Sequence, residues 1–111
     1  MVPEKERYPI ACEKFLEQHP EVKRRLDYLN PKSAEDIDLT LEEYRQKELD
    51  EAFRKEAELM GIDGYELVMR YIADSEEELE IMRIEYYKGQ AKAIGMTWKN
   101  YCKLNHLEKW L

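Results

Sequence analysis

An all-α fold, a compact bundle of about six helices joined by short loops, follows from three observations. Only four Gly and four Pro interrupt 111 residues. Helix-starting and helix-stopping residues bracket successive apolar stripes of helical period. No run alternates apolar and polar positions with β-branched side chains, and the chain holds only three Val. The length fits a single helical domain over residues 1–111.

Met1 to Arg7 reads as a frayed start, with Pro9 in the first turn of the first helix, where its missing N–H costs nothing. Tyr8, Cys12, Phe15, Leu16 and His19 recur at helical spacing, and Pro20 closes that helix and opens the next. Val22, Leu26 and Leu29 stripe the second helix, which Asn30-Pro31 stops. Residues 32–39 read as a loop with a turn of helix at Ser33 to Asp36.

The strongest helix runs from Leu41 to Met60. Thr40 with Glu43 three residues on is a capping-box pair, and Gly61 supplies a left-handed stop. Good helix formers fill the interval, and Glu43/Lys47, Asp50/Arg54 and Glu51/Lys55 stand four apart with the acid first. Its apolar face carries Leu41, Leu49, Ala52, Phe53 and Met60, with Glu56 projecting onto it.

Asp63 with Glu66 starts a short helix with Tyr65, Val68, Met69 and Ile72 on one side. Ser75 with Glu78 starts a helix from Glu76 to Ile94, stopped by Gly95. Thr97 caps a last helix that is expected to run to the C-terminus. The segments Ile37-Asp38-Leu39-Thr40-Leu41-x-x-Tyr44 and Ile94-Gly95-Met96-Thr97-Trp98-x-x-Tyr101 echo each other. No fixed-period repeat continues from them, so two helices starting by the same chemistry explain the match more simply than a duplication or a repeated docking unit.

A net charge of −7 disfavours direct nucleic-acid binding and permits a basic partner. Lys23-Arg24-Arg25 is too small a basic spot to reverse that. No apolar run approaches membrane-spanning length and no signal peptide precedes the first helix, so a cytoplasmic protein with no membrane association is expected. Cys12 and Cys102 are expected as reduced thiols, a disulfide between the terminal helices being the lesser alternative. No catalytic, cofactor or metal site is expected. Neither His19 nor His106 has a ligand at metal spacing, and no nucleophile elbow, phosphate loop or dinucleotide fingerprint occurs. The acidic run Asp74 to Glu80 lacks calcium-loop spacing and suits a helix start.

Two features point to interaction. The helix from Glu76 is apolar on two sides, Leu79, Met82, Tyr86 and Ala93 on one, and Ile81, Ile84 and Ala91 on the other. Such a helix is either buried centrally or presents its second face to a partner, through Ile81, Ile84 and Tyr87. Trp110-Leu111 either folds back or docks on a second chain. Glu56 and Arg83, opposite charges on apolar faces, form a candidate buried ion pair that would fix helix register, the alternative being that each reaches the rim.

Ala11-Cys12-Glu13-Lys14-Phe15-Leu16 with His19-Pro20, then Ala52-Phe53-Arg54, then Gly95-Met96-Thr97-Trp98 with Tyr101-Cys102-Lys103-Leu104-Asn105, resemble a family of short acidic bacterial proteins of unknown function. The resemblance covers most of the chain. It implies a bacterial cytoplasmic origin and no assigned activity, so it transfers no site residue. The expected function is a non-catalytic protein–protein interaction module, either a homodimer or a binder of another protein. An acidic inhibitor, or decoy of a nucleic acid, that occupies a basic partner is the alternative. An enzyme working through Glu56 or a cysteine ranks third.

Overall fold

In the computed structural model, which describes residues 2–111, the chain order is α1 (Glu4–Gln18), α2 (Pro20–Asp27), α3 (Pro31–Glu35), α4 (Leu41–Met60), α5 (Gly64–Ile72), α6 (Glu76–Ala93), α7 (Trp98–Leu104) and a 3-10 turn (Glu108–Trp110). No strand occurs among the described residues. The chain divides into two compact units, residues 1–72 and 73–111.

In the first unit α1 lies against α2, α4 and α5, while α4 also packs on α2, α3 and α5. Ala11, Cys12, Phe15 and Leu16 bury the inner stripe of α1, and Leu49, Phe53 and Ala57 that of α4. Aromatic rings join the helices edge to face. Phe15 stands 5.5 Å from Phe53, and Tyr8 5.4 Å from Phe53. Such pairs contribute about 0.5–1.5 kcal/mol each beyond their burial.

Several boundaries differ from the expected ones. Helix α1 starts at Glu4, a turn earlier, so Pro9 lies inside it and leaves one backbone carbonyl without its helical donor. Glu4 and Glu6 favour the early start through the helix dipole, and Arg7 Nε ties back to the Val2 carbonyl at 2.9 Å. Met1, also in the expected frayed start, lies outside the described residues. The expected loop contains α3, because the Asn30 that stops α2 also caps a new helix, its side chain accepting from the Lys32 amide at 2.9 Å. The last helix ends at Leu104 instead of reaching the terminus. On α5 the buried residues are Leu67, Met69 and Ile72, while Tyr65 is exposed.

Helix α4 has both halves of its capping box, at 2.9 and 3.1 Å. None of its three expected ion pairs forms among the described residues, and Glu43 serves the capping box instead. Asp50 accepts from Tyr8 and Gln46, and Arg54 pairs with Glu51 and Glu58.

Four helices stop in one way. Asp38, Gly61, Gly95 and His106 take left-handed φ of 57°, 70°, 70° and 57°. The residue after each, Leu39, Ile62, Met96 or Leu107, returns its amide to the carbonyl of Ala34, Ala57, Ala91 or Cys102, at 2.8–3.0 Å. This is the Schellman arrangement, with an apolar residue at the returning position. All four accepting residues are buried, so each stop is pinned to a core. The sequence echo is two of these stops, each followed by a Thr cap, Thr40 accepting from Glu43 and Thr97 from Asn100.

In the second unit α6 packs on α7, and α7 on the 3-10 turn. Leu79, Met82, Ala91 and Cys102 are buried.

Candidate functional site

The interface residues expected from sequence lie together in the second unit, with unequal exposure. Ile81 is 50% exposed on α6, and Ile84, one turn on, is half-buried. Tyr87 and Trp110 are half-buried and meet, with ring centres 5.8 Å apart. Trp110 also stacks on Trp98 at 6.5 Å and 12°, and its Nε1 donates to Glu80 Oε1 at 2.9 Å. The C-terminal end therefore folds back on its own unit, with Leu111 left 60% exposed. Tyr101 stacks on Trp98 at 6.1 Å, and Lys88 and Lys109 stand over the rings of Trp98 and Trp110 at 5.6 and 4.9 Å. The result is an aromatic cluster of Tyr87, Trp98, Tyr101 and Trp110 within this unit.

Glu56 and Arg83 belong to different units, α4 and α6. Neither side chain is fully buried. Glu56 is 25% exposed, and Arg83 is half-buried. Both side chains are long enough to carry their charge from an apolar face to its rim.

Glu56 instead lines a cleft of about 410 Å³ between the end of α1, α4 and α5, with Gln18, His19, Met60, Leu67, Arg70 and Tyr71. His19 Nε2 lies 3.8 Å from Glu56, and its Nδ1 3.3 Å from Glu21. Its ring packs 4.7 Å from Phe15. Burial, and then the charge of Glu56, push the Tyr71 hydroxyl above its ordinary value. Sequence reasoning placed Glu56 on an apolar face and His19 at a helix end, but their meeting across 37 positions has no local signature. No group of three metal-ligating side chains occurs among the described residues.

The two cysteines are buried free thiols. Burial pushes Cys12 up to about 11, against a lowering hydrogen bond from Tyr8. Burial, with the hydrogen bond to Asp50, raises Tyr8 well above its usual range. Burial also raises Cys102. A thiol held protonated is a poor nucleophile. No described helix is long and apolar enough to cross a membrane.

The sequence profile of a family of unknown function, DUF6388, matches residues 1–107, in keeping with the family type that the motifs resemble. No curated protein and no solved structure gives a significant match.

Proposed function

We propose, for a chain that belongs to the DUF6388 family of unknown function, a non-catalytic role as a helical protein–protein interaction module. The observation that carries this reading is Ile81, half exposed on α6, the helix that also contributes Tyr87 to the aromatic cluster with Trp98 and Trp110. A large aliphatic side chain in water forfeits burial energy that a partner or a second copy of the chain recovers. The raised thiols support a non-catalytic role, since they leave the cysteines without activation.

Light scattering and affinity capture on Ile81→Asp test the reading. The variant is expected to unfold within about 0.5 kcal/mol of wild type, as an exposed substitution does. It should lose self-assembly or its captured partner. Ile84→Asp, at a half-buried position, should also lose stability, so Ile81→Asp is the cleaner probe. Assembly and capture unchanged in Ile81→Asp would remove this face from consideration.

A second reading, an acidic inhibitor of a basic partner, gains support from where the charge lies. Residues 1–72 hold 12 Lys and Arg against 18 Asp and Glu, a net −6, whereas residues 73–111 hold 6 against 7, a net −1. The excess acid thus belongs to the first unit, and the residues named above for the apolar surface belong to the second.

A further inference from the structure

We infer that the cleft beside Glu56 is a binding site for an organic cation, an alkylammonium or alkylguanidinium group.

Glu56 carries an incompletely partnered charge. Glu56 sits on the inner side of α4, between the buried Phe53 and Ala57 and one turn before Met60, where three quarters of its side chain is withdrawn from water. Its ion-pair neighbour among the described residues is His19 Nε2 at 3.8 Å, too far for a hydrogen bond. A carboxylate so withdrawn, with no close donor, is costly, and a donor entering the cleft offsets that cost.

The walls narrow the ligand class. Leu67, Met60 and Tyr71 in the lining offer apolar and aromatic surface to an alkyl arm, and an aromatic ring is a favourable neighbour for a cation. Gln18 adds a side-chain carbonyl acceptor. The one full positive charge in the lining, Arg70, is bound to Glu66 at 2.7 Å, which neutralises it locally. The net −6 of the first unit attracts cations and repels anions. A metal ion is disfavoured because no three ligating groups converge. The surviving class has one positive head that donates hydrogen bonds and a short apolar arm. It is supplied by a free amine or by a Lys or Arg side chain of another protein. This inference stands apart from the α6 surface and survives if that reading fails.

The test is an amide-NMR titration of the full chain with n-butylammonium, against a sodium chloride series of matched ionic strength. Saturable shifts at His19, Glu56 and Tyr71 that salt does not reproduce are expected. Glu56→Gln keeps the side-chain shape and should weaken binding by about tenfold or more, as loss of a charge-assisted pair does. Met60→Lys places an ammonium four residues beyond Glu56 on the same helix face, where it occupies the carboxylate from within. It should abolish binding with the fold intact. A Lys-containing peptide that binds more tightly than n-butylammonium identifies a protein side chain as the source, and equal binding identifies a free amine. Shifts no larger than those in salt would overturn the inference. So would undiminished binding by Glu56→Gln or Met60→Lys.

Discussion

Tyr8 and Cys12, one turn apart on α1, couple stability to alkaline pH. Tyr8 donates to Asp50, and the folded chain keeps both acidic groups neutral, with Cys12 raised to about 11 from an ordinary value of 9.0. Below pH 9 both are protonated whether the chain is folded or unfolded, and their contribution is complete. Above it the unfolded thiol ionises first, so the unfolded state binds fewer protons and stability falls as the pH rises to 11. The loss attributable to Cys12 is at most about 2–3 kcal/mol. Tyr8 extends it to higher pH. Urea titrations between pH 9 and 11 should show the decline, and Cys12→Ala should flatten it. An unchanged midpoint across that range in wild type would mean that these groups are not held neutral by the fold.

Helices here are defined as much by how they stop as by how they pack. Two stops use Gly and two use Asp38 and His106, whose side chains make the left-handed conformation costly. Asp38→Gly should therefore stabilise the chain by about 0.5–1 kcal/mol in chemical denaturation. Gly95→Ala should destabilise by about 1 kcal/mol, with the backbone alone as cause, since nothing stands within 4 Å of the added carbon. A loss in Asp38→Gly would show that the Asp side chain contributes more than its backbone costs. The same stops mark the limit of what was legible. Thr40 with Glu43, Gly61 and Gly95 announce themselves in the sequence because each residue type has one dominant use there. Asp38 and His106 do not, since neither type specifies a left-handed turn, and the sequence therefore carries no clear stop for α7 before the terminus. Helix α3 overlaps the turn of helix expected at Ser33 to Asp36 but starts earlier, at Pro31, because Asn-Pro serves both as a stop and as a start. Helix α5 is so apolar that more than one stripe fits it. Its contact with α1 selects Leu67 over Tyr65.

At the scale of the whole molecule, net charge is divided unevenly, −6 in residues 1–72 against −1 in residues 73–111. Exposed apolar side chains occur in both units, Tyr28 and Leu59 in the first and Ile81 and Leu111 in the second. Salt separates the two readings of function. A partner held by the acidic unit should lose affinity steeply as ionic strength rises, and one held by the α6 face should not. A captured partner that survives high salt in wild type and is lost in Ile81→Asp would dispose of the decoy. The cleft at Glu56 was the least legible feature, because it is assembled from three helices and each residue has an ordinary local role. Both tryptophans, Trp98 and Trp110, lie in the same short segment, whereas residues 1–72 hold only tyrosine and phenylalanine as fluorophores. The protein thus carries a built-in optical reporter. Long-wavelength excitation sees the last third of the chain alone, and whether its melting curve coincides with far-ultraviolet dichroism tells whether the chain unfolds in one cooperative step or two.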